Sequence, residues 1–234
     1  MSTIHQNLQA VHDRIRAAAH AVSRDPHEIT LVAVSKTFDA GAVVEAARAG
    51  QVVFAESYIQ EALDKIASVN AAQPGALLEW HFIGPIQSNK TRAIAEHFDW
   101  VHSIDRSRIA QRLSDQRPGQ LTPLNVCLQV NISGEASKSG VSPDEVFKLA
   151  SEVHAMPHLK LRGLMAIPEP ADDIEAQRAP FRQLRELQEE LNRRGFALDT
   201  LSMGMSTDME AAIAEGTTMV RIGTAIFGQR NHAN

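Results

Sequence analysis

Lys36 is the first residue with the setting for chemistry. It closely follows Leu31, Val32, Ala33 and Val34 in the stretch LVAVSKT, and a lysine seldom ends a buried strand unless something employs or pairs its ammonium. In a desolvated pocket the charged form loses favour, the amine pKa falls, and the neutral amine condenses with an aldehyde to a Schiff base. The plainer reading has Lys36 reaching solvent or pairing with a carboxylate such as Glu56, at the end of the next apolar run. Position alone favours neither reading.

A second cluster lies near the other end of the chain. In LSMGMSTDME an apolar run passes through Gly204 into Ser206, which is placed to cap a helix beginning at Thr207 and Asp208. Helix N-termini draw anions because free N–H groups and the helix dipole converge there, and Gly204 permits close backbone approach. An ordinary cap is the commoner role for such a serine. In VRIGTAIFG, Arg221 lies inside an apolar run, and Gly223 and Thr224 beyond it offer backbone N–H groups and a hydroxyl. A Schiff-base lysine facing a phosphate cradle describes a site for a phosphorylated aldehyde, and pyridoxal 5'-phosphate is the candidate.

Positioning these residues requires strands whose ends meet. Eight short apolar runs recur, at 29–36, 51–57, 79–84, 100–105, 123–132, 159–167, 200–205 and 219–227, mostly continuous rather than alternating. Such runs suit strands buried on both faces, as in a parallel sheet covered by helices. Helical periodicity fills the gaps at 39–49, 59–69, 90–97, 106–115, 143–155 and 174–194. In the last of these, Phe181, Leu184, Leu187 and Leu191 form an apolar stripe. Arg182 with Glu186, Glu189 with Arg193, and Glu190 with Arg194 make i,i+4 pairs on a solvated face, and Gly195 supplies a stop. An earlier helix, with Ile4, Leu8, Val11, Ile15 and Val22 on one side, needs a surface to cover.

The expected fold is therefore α/β: a single (β/α)8 TIM barrel over residues 1–234 with an extra N-terminal helix. Eight units in 234 residues average about 29 residues each, in keeping with barrels of about 250 residues. An open doubly wound sheet is the alternative, but no GxGxxG occurs, so a dinucleotide fold loses its main support. Barrel chemistry sits where strands end, and phosphate sites favour the loops after strands 7 and 8. Both clusters satisfy that rule.

Other features exclude function classes. A net charge of −5 gives no general attraction to nucleic acid or anionic membranes. No apolar run approaches the roughly 18 residues of a membrane span, and residues 1–13 lack the basic start and apolar block of a signal peptide. The lone Cys127, in an apolar run, reads as a small core hydrophobe and agrees with a reducing, cytoplasmic compartment. Ten histidines show no metal-ligand spacing: Pro157 separates His154 from His158, and no HExxH occurs. No metal is expected. His81 and His102 read as satisfied core histidines or pocket wall. GEASKSG, residues 134–140, fails the phosphate-loop pattern and reads as a loop that carries Lys138 over the barrel mouth.

The motifs AVSKT (33–37), HFIGPIQSNK (81–90), VNISGEASKSG (130–140), RGLMAIP (162–168), SMGMS (202–206) and VRIGTAIFG (220–228) together resemble those of the pyridoxal phosphate homeostasis proteins. That family is related in fold to the N-terminal barrel of alanine racemase, and the resemblance covers nearly the whole chain. It implies that Lys36 carries the internal aldimine, that Ser206, Gly223 and Thr224 hold the phosphate, and that Arg221 faces the pyridine nitrogen with Met203 close by. Ser57 stands where the family usually has Asn, and Phe38 where it often has a second Lys, whose task would pass to Lys90 or Lys138.

A guanidinium beside the pyridine nitrogen disfavours its protonation and weakens the ring as an electron sink. Alanine racemase draws a tyrosine from another domain; here Tyr58 is the only phenol, and no residues remain for a second domain. The favoured function is a monomeric carrier without catalytic residues of its own. It would hold pyridoxal 5'-phosphate on Lys36, take part in intracellular vitamin B6 homeostasis, and pass the cofactor to apo-enzymes as transient recipients. A pyridoxal-phosphate-dependent racemase or decarboxylase is the alternative, and a cofactor-free Schiff-base aldolase stands third.

Overall fold

The continuous apolar runs form strands buried on both faces, because each contributes side chains to two cores at once. In the computed structural model, which describes residues 2–134 and 139–229, they are β1 (Thr30–Val34), β2 (Val53–Glu56), β3 (Glu79–Phe82), β4 (Trp100–Ile104), β5 (Leu124–Gln129), β6 (Leu159–Met165), β7 (Thr200–Ser202) and β8 (Met219–Ile222). They close in sequence order into a parallel barrel, with Thr30 of β1 opposite Met219 of β8 and Val32 opposite Arg221. Val32, Val34, Val53, Ala55, Trp100, Cys127, Met165 and Met219 pack together as the inner core. The alternate residues, among them Leu31, Ala33, Phe54, Phe82, Val101, Val126, Leu164 and Val220, pack outward against the helices. This period-2 division is why so little polar residue interrupts the strands.

The outer ring holds α2 (Ala40–Arg48), α3 (Ile59–Ala72), α4 (Thr91–His97), α5 (Ser107–Gln116), α6 (Val146–His154), α7 (Ile174–Arg193), α8 (Met209–Ala214) and α9 (Thr224–Phe227). The N-terminal helix α1 (Thr3–Ala21) packs beside α2, α8 and α9, where the ring would otherwise present a single four-residue helix. Its buried stripe is Leu8, Val11, Ile15 and Ala19. Asn7 donates to the carbonyl of Ile226 at 2.8 Å, and Arg24 donates to those of Ile213 and Thr217, each at 2.9 Å. The helix thus answers the need for a surface, but Val22 is not part of the stripe: it follows the last helical residue and is 40% exposed.

Three further expectations are corrected. The run 219–227 is not one strand, since β8 stops at Ile222 and the chain turns at Gly223 into α9. A Cβ on Gly223 would lie 3.1 Å from the Val34 carbonyl oxygen, so the turn sits tight against the end of β1. Segment 143–155 divides into a 3-10 turn, Pro143–Glu145, and α6, which ends ahead of Pro157. On α7 the Glu190–Arg194 pair forms at 2.7 Å, whereas Arg182 and Arg178 turn to Glu215 at 2.9 and 2.8 Å. Glu215 is buried at the end of α8, and a buried carboxylate needs cations. That face of α7 is therefore partly an inter-helix clamp and not wholly a solvated surface.

Candidate functional site

β1 ends at Val34, so Lys36 occupies a turn just past the strand and not the strand itself. The turn is forced: Thr37 sits at φ 70°, a left-handed conformation uncommon for a threonine. Two contacts hold it there. The Thr37 amide donates to Glu61 Oε1 at 2.6 Å, and the Ser35 carbonyl accepts from Lys65 Nζ at 2.8 Å. Glu56, the alternative partner considered for Lys36, faces away from the barrel axis, where it accepts from Lys65 Nζ at 2.6 Å and Ser35 Oγ at 2.7 Å. Lys36 is half-buried and lines a cavity of 270 Å³ at the C-terminal mouth of the barrel.

The same cavity is lined by Ser206, Thr207, Arg221, Gly223 and Thr224, with Val34, Ile83, Ile167 and Met205 as apolar wall. The two clusters separated along the chain therefore share one wall, because β8 closes the barrel against β1. Ser206 takes part differently from expectation. The residue preceding α8 is Asp208, whose Oδ1 accepts from the Met205 amide at 2.6 Å, and Ser206 lies within the turn so closed. Its own carbonyl accepts from Arg14 of α1 at 3.2 Å, which braces the turn from outside. Met203 does not line the cavity. β7 ends at Ser202, so the next side chain points outward into the strand–helix core, and Gly204 at φ 95° then redirects the backbone to present Met205. A Cβ on Gly204 would lie 2.5 Å from that of Ala212.

Ser57, Thr207 and the apolar wall were not singled out as site residues in the sequence. Ile83 and Ile167 each lie just beyond a strand end, β3 and β6, and that placement was the available signal. Tyr58 lies 54% exposed over a neighbouring hollow that includes Lys90 and Arg106, and does not line the Lys36 cavity. Phe38 packs on Phe227 with ring centroids 5.2 Å apart. Lys138 lies outside the described residues.

Arg221 is buried in the barrel interior, where its Nη1 donates to Ser202 Oγ at 2.7 Å and its Nη2 to the Ala166 carbonyl at 3.0 Å. Burial lowers its pKa to about 10, against the favourable charge of Asp208, so it stays a cation at neutral pH. Ser202 is also 2.7 Å from His102 Nδ1, and His102 Nε2 is 2.8 Å from His81 Nδ1. His81 Nε2 reaches Glu79 Oε1 at 2.7 Å. Both histidines are thus satisfied within the core. Cys127 is fully buried, and burial pushes its thiol up to about 12, which removes it as a nucleophile.

Burial also holds both imidazoles below the ordinary histidine range, His102 well below it with added repulsion from His81 and Arg221. The unfolded chain takes up a proton on each near pH 6.5, at about 1.4 kcal/mol per histidine per pH unit, while the folded chain does not. Stability from this source is complete above that pH and is lost on acidification towards the folded pKa values. Urea midpoints should fall between pH 7.5 and about 5.5. Glu56 and Asp208, raised by burial, act in the opposite sense from their folded pKa values downward. A flat profile would show that the histidines are not buried neutral.

Among the described residues no three His, Cys, Asp or Glu gather as a metal site, and no helix is long and apolar enough to cross a membrane.

A family model described as the alanine racemase N-terminal domain matches residues 6–231. The chain is 62% identical over 232 residues to the pyridoxal phosphate homeostasis protein of Pseudomonas aeruginosa, covering 99% of this chain and 98% of that one. It is 55% identical to the protein of the same name from Escherichia coli, over 100% and 99%. Among solved structures, PipY of Synechococcus elongatus with pyridoxal phosphate bound aligns with TM-score 0.83 at 34% identity, over 96% of this chain and 100% of that one.

Proposed function

The chain belongs to the pyridoxal phosphate homeostasis protein family, within the wider family of the alanine racemase N-terminal domain, and on that premise we propose that it binds pyridoxal 5'-phosphate at the Lys36 cavity and serves in cofactor homeostasis. One observation carries the reading: a single cavity joins the Lys36 amine to Arg221, Gly223 and Thr224 at the end of β8 and to Ser206 in the turn after β7. The residues fit the group. Lys36 supplies the amine that condenses with an aldehyde, releasing water. Ser206, Thr207 and Thr224 supply hydroxyls on the side where barrels of this kind hold phosphate. Val34, Ile83, Ile167 and Met205 give a planar ring apolar contact.

When bound, the cofactor would supply a reactive aldehyde and an electron-withdrawing ring. Arg221 limits the second property. Its buried charge repels a proton from the ring nitrogen it would face, so carbanion chemistry is disfavoured. Tyr58, the sole phenol of this sequence, is off the cavity, which removes it as the second acid–base group of the racemase alternative. We therefore assign the residues 1–234 as one cofactor-holding unit, a monomeric cytoplasmic carrier that transfers its load to apo-enzymes rather than turning over substrate.

The test is the visible spectrum of purified protein mixed with pyridoxal 5'-phosphate, before and after borohydride reduction, followed by mass analysis of the Lys36 peptide. Yellow protein with a reduced adduct on Lys36, and faster loss of colour on dialysis in Ser206→Ala, are expected. Sustained conversion of any L-amino acid in a panel would overturn the carrier role; an adduct on another lysine would overturn the site.

A further inference from the structure

Four hydrogen bonds, three of them buried and the one at Glu79 part-buried, join Glu79, at the first residue of β3, to Arg221, near the end of β8, through His81, His102 and Ser202. Because all strands run parallel, the chain crosses the barrel interior from its closed end to the cavity mouth. His81, His102 and Ser202 are fully buried, whereas the Glu79 side chain is 45% exposed.

The donors and acceptors allow a definite direction. A guanidinium only donates, so Ser202 Oγ accepts from Arg221 and spends its own proton on His102 Nδ1. With Nδ1 an acceptor, neutral His102 carries hydrogen on Nε2 and donates to His81 Nδ1. His81 then carries hydrogen on Nε2 and donates to the Glu79 carboxylate, which only accepts. Every donor meets one acceptor, and a fixed cation and an ionised carboxylate stand at opposite ends. Reversing either ring's tautomer would set two donors or two acceptors against each other somewhere along the line.

We infer that Glu79, His81, His102 and Ser202 are positioning residues for Arg221: a one-directional hydrogen-bond chain that couples the charge of Glu79 at the closed end of the barrel to the proton affinity of the ligand atom Arg221 faces. The inference rests on the cavity taking pyridoxal 5'-phosphate. The charged and titratable groups around the line are few. Asp208 and Cys127 act on Arg221, Asp99 acts on His81, and Arg162, itself paired with Asp199 at 2.8 Å, acts on Glu79. The Trp100 indole stacks on His81 with ring centroids 5.3 Å apart. None of these groups interrupts the chain.

Two measurements test it. On wild-type protein without cofactor, nitrogen-15 spectra of the imidazoles should show both His81 and His102 as neutral Nε2–H tautomers at neutral pH; a cationic ring or an Nδ1–H tautomer at either overturns the direction. On cofactor-loaded protein, Glu79→Gln and Ser202→Ala should each move the pH midpoint of the visible absorbance in the same direction, by about threefold or more in proton affinity. The double variant should move it no further than Ser202→Ala alone, because cutting the link silences Glu79. Additive shifts, or no shift, overturn the coupling. If wild type takes up no colour, the cofactor reading is what has failed, and the tautomer pattern alone decides the chain.

Discussion

Lys36→Ala protein mixed with pyridoxal 5'-phosphate is expected to stay colourless after dialysis, with the borohydride-fixable fraction reduced from nearly all to none. The cavity supplies hydroxyls, backbone groups and a buried guanidinium, but among the described residues Lys36 is the one primary amine that lines it. Glu56 is taken by Lys65 and Ser35, and the turn that carries Lys36 is held by the Thr37 amide on Glu61 and by Lys65 on the Ser35 carbonyl. Those contacts do not involve the Lys36 side chain, so the variant should keep the fold, as its urea transition would show. Lys36→Arg sharpens the test: it keeps a cation at the mouth but offers no amine that condenses. Weak, reversible binding through the phosphate side should survive in both variants and be visible as quenching of tryptophan fluorescence. Retained covalent colour in either would remove Lys36 from its assigned role.

The largest effect on stability is expected from a residue outside the cavity. Lys65 is buried on α3 and donates to Glu56 Oε1, to Glu61 Oε1 at 2.8 Å and to the Ser35 carbonyl. Glu56 is fully buried, its second oxygen has no hydrogen-bond partner among the described residues, and burial raises its pKa while Lys65 pulls it back. Lys65→Met leaves that carboxylate uncompensated, a loss of about 3–5 kcal/mol in denaturant unfolding at neutral pH. Adding Glu56→Gln should recover a large part, because the penalty belongs to the stranded charge. The same lysine also holds the Ser35–Thr37 turn. Cofactor retention should thus fall in Lys65→Met even under conditions where the fold persists, and the double variant should restore stability better than retention. Equal recovery of both would separate the Lys65 cluster from the site.

Much of this molecule was legible along the chain because barrel strands advertise themselves locally. Runs such as LVAVS and LNVCLQV must satisfy two cores with a period of two, and only a closed or doubly covered sheet does that. Lys36, Arg221, Gly223 and Thr224 were found as interruptions of such runs near their C-terminal ends, where a polar group has a reason to be. Boundaries were less legible. Ser206 and Asp208 are both competent caps, and nothing local decides between them; the outcome depends on where Gly204 sends the backbone against Ala212. Met203 and Met205 are alternatives of the same kind, settled by the last residue of β7.

The pairing of charges between elements was not legible, although the Glu190–Arg194 pair within α7 was. Glu56 could serve Lys36 or Lys65, and the α7 arginines could serve their own helix or Glu215. Ion pairs between elements have no periodicity and are chosen by which carboxylate the packing strands away from water. What the sequence determines by itself is the set of elements, their order, and which strand ends bear reactive groups, because local pattern and the parallel topology leave few alternatives. The tertiary structure alone decides the line from Glu79 through two histidines to Arg221. Its members come from β3, β4, β7 and β8, and only barrel closure brings them within hydrogen-bond reach.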